Sequence, residues 1–453
     1  MSVIVSRILH AGYIFENSGA RIAFDPIFEN PFSRNCYAFP AIEFNLEDVK
    51  RLQLDAIFIS HFHDDHCSLE SLDHLDRKIP IYIFCLSDEI PELIRKIGFK
   101  TVHLLKTQQI VDIKTFKITV HRALDVDVDS VFQIQVAGKN ILNVVDSWID
   151  WETIELLKKN GPWDLILWPF QTMRELEVLS PNRSGFSPPE LPIEWLEQLQ
   201  LLEPLFIVPS SCQFVQEPWS WYNQAFFPIT YRFFEEQINK ILPTCEVVRL
   251  NPGKSIELND YGLQRAPDLS WIKPIGDQNV DYDYDSNLIV PSTRELARKF
   301  SKLLAHQVQV VNDFLTIKII QHYELLNTTA EEYFAQTRIW KLRTYNFFGD
   351  EKTYLYELDQ KKLKLLTDAT KLTEPIGWLT EIAEAKIYSA LTDGESLTSL
   401  YIRINDETFA EQIEEQLVST DATMDPLVRC LFSLNLDSYQ QAQYLRLQRK
   451  NQN

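Results

Sequence analysis

Five residues of metal-ligating types, three histidines and two aspartates, lie within six positions, directly after an apolar run. The run IFIS predicts a buried strand, and HFHDDH follows it. On a loop at the carboxyl end of a strand, histidines two positions apart can converge on one ion, while the next aspartate and histidine turn toward a second ion. The spacing therefore predicts a metal site built around His61, His63, Asp65 and His66.

Two carboxylates in the same segment are candidate catalytic residues. Water held between two metal ions becomes a nucleophile near neutral pH, and a carboxylate beside it has to manage the proton. HFHDDH offers Asp64 and Asp65 for that role. The segment thus predicts a metal-dependent enzyme that uses one or two divalent ions, with zinc, iron and manganese left open.

The HFHDDH segment resembles the signature of the metallo-β-lactamase superfamily. Upstream, LHAGYIFENSGARIAFDPIF resembles the opening hairpin of one branch, in which His10 and Asp25 are the notable residues. That branch includes ascorbate-phosphate lactonases, N-acyl-phosphatidylethanolamine phospholipase D and the metal domain of CMP-N-acetylneuraminate hydroxylase. Downstream, DSVFQIQVAGKNILNVVDSWID is similar to the strand pair that ends in a bridging aspartate, which implies that Asp146 is a metal ligand.

The resemblance extends over about residues 8–257 and implies an α/β fold, the αββα sandwich of that superfamily. Short β-type runs and helical stretches alternate along this part of the chain, as such a fold requires. The stretches PLFIVPSSCQFVQEPWSWYN and VVRLNPGKSIEL resemble the closing segment of the hydroxylase-like branch. Aromatic residues in EPWSWYNQAFF are expected either to wall a substrate pocket or to form a core cluster.

Two histidines of a complete dizinc site are not where the resemblance expects them. After the strand in FKITVHRALDVDVDS the chain offers His121, or a replacement from three aspartates, Asp125, Asp127 and Asp129. We include His121 in the predicted ligand set. Near VPSSCQF the chain offers only Ser210, Ser211 and Cys212. A site poorer in histidine and richer in carboxylate shifts the expected metal from zinc toward iron or manganese.

The length of 453 residues exceeds what a single core supports, so two domains are expected. The polar, proline-marked stretch APDLSWIKPIGDQNVDYDYDSN interrupts the α/β pattern. We therefore predict a metal-binding domain over 1–262, a linker over 263–290 and a smaller α+β domain over 291–453. Within the last, GWLTEIAEAKIYSALTDGESLTSLYIRIND resembles a sterol-carrier-like tail.

The charge and the cysteines indicate compartment and partners. A formal net charge of -20 repels a phosphate backbone, which argues against a nucleic-acid partner. The six cysteines are scattered without paired spacing, as suits a reducing compartment. The N-terminus lacks a signal-peptide pattern, and no apolar run reaches the ~18 residues of a membrane span. We predict a cytoplasmic protein with a small-molecule substrate and no membrane span, of unknown oligomeric state.

Three functions fit these observations. The leading hypothesis is a metal-dependent hydrolase that attacks an ester, lactone, amide or phosphodiester with metal-activated water. The second is an iron-dependent oxygenase, as the resemblance to the CMP-N-acetylneuraminate hydroxylase branch implies. Because the chain contains no Cys-x-His pair of a Rieske module, an electron donor would then be a separate partner or the substrate. The third is a non-catalytic metal-binding protein whose site has lost a ligand.

Overall fold

Two large sheets pack face to face in the first part of the protein. The computed structural model describes residues 2–171, 173–184, 188–285, 287–326, 332–367, 375–407, 422–432 and 438–452. The first sheet has eight strands, in the spatial order Gly262–Ala266, Ser255–Asn259, Val3–Arg7, Tyr13–Asn17, Ala20–Phe24, Ala56–Ile59, Ile81–Ile83 and Val102–Leu104. The second has seven, in the order Glu246–Val247, Phe206–Ser210, Leu165–Pro169, Lys139–Asn143, Ser130–Val136, Phe116–Arg122 and Ile110–Ile113.

Aromatic side chains join the two sheets at their inner faces. The ring centroids of Phe24 and Phe132 lie 5.0 Å apart, and those of Phe58 and Phe132 lie 6.1 Å apart. The strand Ala56–Ile59 is buried along its whole length, which explains its continuous apolar run, because a parallel strand is covered on both faces. The predicted αββα arrangement is therefore confirmed.

Helices pack on the outer faces of the sheets and around the C-terminal sheet. Ile57 and Ile59 point away from Phe58 and belong to the same apolar cluster as Leu69 and Leu72 of a covering helix. The α-helices of the described residues are Leu46–Val49, Leu69–Asp73, Glu89–Lys96, Trp151–Asn160, Glu175–Leu179, Ile193–Leu202, Tyr222–Phe226, Tyr231–Ile241, Thr293–Ala297, Ala305–Asp313, Ile319–Leu325, Glu384–Thr392, Pro426–Phe432 and Ser438–Gln452. Within the described ranges, none of the helices has both the length and the apolar character of a membrane span.

A third sheet of five strands forms the C-terminal part together with helices, as the predicted α+β composition requires. Its strands lie in the order Leu363–Leu365, Glu351–Leu358, Arg338–Tyr345, Ile376–Ala383 and Arg403–Ile404. The segment predicted as a linker contains the strand Ile272–Pro274, which pairs with Ile42–Phe44. A second small pair joins Phe214–Val215 to Tyr37–Ala38. The domain boundaries at 262 and 290 stay a prediction.

The last helix, Ser438–Gln452, packs against the loop that carries HFHDDH. Gln440 Nε2 donates to the carbonyl oxygens of Phe62 and Cys67 at 2.7 and 3.0 Å. Arg446 forms an ion pair with Glu70, with 2.9 Å between Nε and Oε1. The C-terminal part of the chain therefore contacts the loop predicted to bind metal.

Candidate metal centre

Loops at one end of the two sheets supply the candidate site. Asp25 follows the strand Ala20–Phe24, and the HFHDDH loop follows its parallel neighbour Ala56–Ile59. Asp146 lies three positions after Lys139–Asn143 in the facing sheet. The carboxyl ends of these strands meet at one edge, so residues far apart in sequence become neighbours.

Four side chains form a compact group of ligand-type atoms. Each of His10, Asp65, His66 and Asp146 offers one such atom, and these atoms all lie within 4.8 Å of one another. His66 Nε2 lies 3.0 Å from Asp146 Oδ2 and 3.7 Å from Asp65 Oδ1. The structure thus brings Asp146 to the HFHDDH loop across 80 positions of sequence.

The two other histidines of HFHDDH lie beside this group. The ring centroid of His61 lies 4.1 Å from that of His66 and 4.4 Å from that of His63. His61 Nε2 lies 3.8 Å from Asp129 Oδ1. Asp129 is therefore the one of the three candidate aspartates that reaches the site, whereas Asp125 and Asp127 are exposed.

Asp25 orients two of the histidines without joining the group itself. The Ser60 hydroxyl donates to Asp25 Oδ2 at 2.7 Å, so its oxygen is left to accept from His61 Nδ1 at 2.9 Å. His66 Nδ1 lies 3.0 Å from the same carboxylate oxygen and donates to it. Because both Nδ1 atoms donate, Nε2 is the nitrogen of each ring that is left to face a metal. Despite burial, the Asp146 and Asp65 carboxylates raise the pKa of His66, so a metal at its Nε2 would displace a proton.

His10 has the opposite tautomer. The backbone N–H of Cys212 donates to His10 Nδ1 at 2.8 Å, so this nitrogen must be unprotonated. In the neutral ring the proton then sits on Nε2, which lies 3.1 Å from His66 Nε2 and 3.3 Å from Asp65 Oδ2. In this tautomer His10 is a hydrogen-bond donor to the group rather than a ligand.

The donor set fits a divalent cation. The Oδ1 atoms of Asp129 and Asp146 are buried and have no hydrogen-bond partner among the described residues, an expensive state for a carboxylate unless a cation binds it. Burial, followed by the effect of a neighbouring histidine, lowers the pKa of His61 and of His63 to about 4, so both rings are neutral and able to bind a metal. Burial and the Asp146 carboxylate raise the pKa of Asp129 to about 7, and positive charge would keep it ionised.

Backbone strain is concentrated in the loops of the site. Asp25 has φ 40°, Val145 beside Asp146 has φ 65°, and Cys212 has φ 47°. Positive φ is rare for a β-branched residue such as valine, and such strain clusters at functional sites. His10 has φ 53°, and its turn requires Gly12, where a Cβ would lie 2.7 Å from the Asp25 carbonyl oxygen.

The structure does not bring His121 to this group. Its Nε2 lies 3.1 Å from Gln133 Oε1, and its Nδ1 lies 3.3 Å from Gln108 Nε2, so both ring nitrogens are occupied by amides. We therefore leave His121 out of the proposed ligand set. The physical reason is its position within the strand Phe116–Arg122, whereas Asp129 lies in the following loop, which reaches the strand ends.

A cavity of about 280 Å³ adjoins the group. The residues around HFHDDH contribute His63, Asp64 and Asp65 to its lining. The C-terminal part contributes residues that the sequence did not mark, because no motif surrounds them: Glu395, Ser396, Leu397, Thr398, Phe432 and Tyr439.

The aromatic residues of EPWSWYNQAFF divide between the two expected roles. Phe226 lines the cavity. Three others pack on Tyr401, with ring centroids 4.8 Å away for Trp219, 5.7 Å for Trp221 and 5.0 Å for Tyr222. Most of this segment therefore belongs to an aromatic cluster between the first part of the chain and the C-terminal part.

Comparison with known proteins agrees with this geometry. Residues 5–167 match the family model of the β-lactamase superfamily domain. Cytidine monophosphate-N-acetylneuraminic acid hydroxylase of Danio rerio is 27% identical over 153 residues, which cover 32% of this chain and 26% of that protein. The match thus spans about a quarter of the relative's length.

Several solved structures of low sequence identity superimpose on part of this chain. Igni18, a metallo hydrolase of Ignicoccus hospitalis KIN4/I, is 17% identical, with a TM-score of 0.39 over 57% of this chain and 99% of its own. The isothiocyanate hydrolase of Delia radicum gut bacteria is 15% identical, with a TM-score of 0.41 over 56% of this chain and 98% of the hydrolase. CmlA, a diiron β-hydroxylase of Streptomyces venezuelae, is 14% identical, with a TM-score of 0.39 over 58% of this chain and 54% of CmlA. Residues 5–167 thus match the β-lactamase superfamily domain, and the sandwich of two sheets to which they contribute is the fold predicted for it.

Proposed function

We propose that the protein is a metal-dependent hydrolase with a dinuclear site. One ion would be held by His61, His63 and Asp129, the other by Asp65 and His66, with Asp146 between them. The observation that carries the proposal is the pair of buried, unpartnered carboxylate oxygens on Asp129 and Asp146 beside neutral histidines. Bound divalent ions would lower the pKa of a water molecule and polarise the substrate oxygen that it attacks.

Other residues of the site would orient the metal ligands, stabilise a ligand carboxylate and accept a proton. Asp25 and Ser60 keep His61 and His66 in the tautomer that binds metal. His10 donates toward Asp65 and stabilises its carboxylate. Asp64 and Asp65 both line the cavity, and one of them would take up the proton of the attacking water. The C-terminal residues line the cavity and would limit the water around a bound substrate.

Metal content and turnover test the proposal together. We expect the protein purified without added metal to contain divalent ions, and the double substitution of His61 and His63 by Ala to remove most of them. The zinc-loaded protein should hydrolyse members of a panel of esters, lactones, amides and phosphodiesters. An unchanged metal content in the double variant would refute the ligand assignment, and metal-loaded protein without any activity would favour a non-catalytic role.

A specific observation favours an iron-dependent oxygenase as the second candidate. Asp129 supplies a carboxylate where a histidine is expected, and oxygen ligands suit iron better than zinc. Activity that appears only with iron, dioxygen and an electron source would establish this alternative and overturn the hydrolase. The same purified protein serves both assays, so the two outcomes are directly comparable.

A further inference from the structure

The cavity beside the proposed metal ligands presents hydrogen-bond acceptors that have no partner. Gln171 Oε1 and Asp64 Oδ2 are buried and lack a hydrogen-bond partner among the described residues. Both residues line the cavity, and Gln171 is only 3% exposed. Leaving a buried acceptor unsatisfied costs free energy. A ligand that supplies donors would remove that cost.

The orientation of the Gln171 amide follows from its other contact. Its Nε2 donates to the Ile229 carbonyl oxygen at 3.2 Å. Exchanging the amide nitrogen and oxygen would place two acceptors against each other, so the assignment is determined by this contact. The oxygen is therefore the atom of Gln171 that remains for a ligand.

The charge of the lining points to the same kind of ligand. The described lining residues include Asp64 and Glu395 in addition to the proposed ligands, and no lysine or arginine. Glu395 is already bound by Lys386, at 3.2 Å, and by the Ser399 hydroxyl. Asp64 contacts the Ser396 hydroxyl, 3.5 Å from its Oδ1, and has no lysine or arginine partner among the described residues. An anionic group away from the metals would find no cation here, whereas a cationic donor would find Asp64.

We propose that the substrate is a small molecule with a primary ammonium or carboxamide NH₂ group that donates to Gln171 and Asp64. Its reacting carbonyl would then face the metal ligands, and its apolar part would pack on Phe214, Phe226 and Phe432. The cavity volume of about 280 Å³ restricts it to a compact molecule. This inference rests on the proposed function, because it is the proposed ligands that define the reacting end.

Three probes with one carbon skeleton test the proposal by binding alone. Calorimetry compares 3-phenylpropylamine, 3-phenylpropan-1-ol and 3-phenylpropionate on protein of measured zinc content. We expect the amine to bind about tenfold more tightly than the alcohol, as one charged hydrogen bond provides. Equal affinities for the amine and the alcohol, or tighter binding of the alcohol, would overturn the proposal; the propionate reports binding to the metal itself.

Substitutions separate the acceptors from direct coordination of the amine by metal. Gln171→Leu should reduce the preference for the amine over the alcohol by removing one of its two acceptors, while Gln309→Leu, at an exposed position of the helix Ala305–Asp313, should leave the preference unchanged. An amine preference of undiminished size in Gln171→Leu contradicts the proposal. If that variant does not fold, Asp64→Asn gives the same comparison. Because no turnover is involved, failure here is distinct from failure of the hydrolase assay.

Discussion

Asp25 shows how one buried carboxylate can determine the chemistry of a site that it does not enter. Its two oxygens accept from the Ser60 backbone N–H, the Ser60 hydroxyl and His66 Nδ1. Through Ser60 it also orients His61. The residue was noted in the sequence only as part of an opening hairpin, since nothing in a linear pattern reveals which histidines a carboxylate will contact.

We predict that Asp25→Asn weakens metal binding by roughly 10–100-fold, the usual effect of losing a group that orients a ligand. An amide can donate to His66 Nδ1 and so stabilise the wrong tautomer. Competition with a chromophoric chelator measures the affinity. Asp425→Asn is the matched control, because Asp425 is equally buried but binds Trp378 and Thr380. Equal losses in both variants would mean that the effect is general destabilisation.

At the scale of elements, the helix Trp151–Asn160 illustrates a local rule that the sequence does encode. Asp150 is its N-cap and accepts from the Thr153 backbone N–H at 3.0 Å. Arg122, from a neighbouring strand, donates to the same carboxylate at 2.6 and 3.1 Å. Partial burial raises the pKa of Asp150, but the hydrogen bonds from Arg122 and Thr153 outweigh it and bring the pKa to about 2.

The lowered pKa of Asp150 predicts how the stability of the fold changes in acid. The folded pKa lies below the value of about 3.9 in unfolded chains, so the carboxylate stabilises the fold above about pH 4 and loses this effect as the pH falls toward about 2. Asp150→Asn keeps the cap but removes the charge. Its difference from the parent in urea unfolding should therefore be largest at neutral pH and shrink on acidification. Asp150→Ala should cost about 1 kcal/mol more, because the cap is lost. A difference independent of pH would contradict the assignment.

At the scale of the whole molecule, site residues that are close together in sequence can be predicted from the sequence, whereas those far apart cannot. HFHDDH and its strand lie in one short segment, so spacing alone identifies them. Asp146 was found because the resemblance includes its strand pair. The sequence favours His121 over Asp129, but the structure brings Asp129 to the site. Strand register and loop length decide which side chain reaches the sheet edge, and neither can be read from a local pattern. Glu395 and Tyr439 line the cavity although they lie more than 300 positions from HFHDDH in sequence, and no local pattern predicts such a contact.

The last helix provides the final prediction, since it connects the C-terminal part to the metal loop. Gln440 is fully buried, and its Nε2 donates to the carbonyl oxygens of Phe62 and Cys67, which flank His63, Asp65 and His66. Gln440→Leu leaves both carbonyls without this donor, which should cost about 1–3 kcal/mol of stability and also weaken metal binding by releasing the loop. Gln448→Leu, at an exposed position of the same helix, should change neither. Thermal unfolding with and without chelator, together with a metal titration, measures both effects. If Gln440→Leu loses stability but binds metal as the parent does, the helix supports the fold without positioning the site.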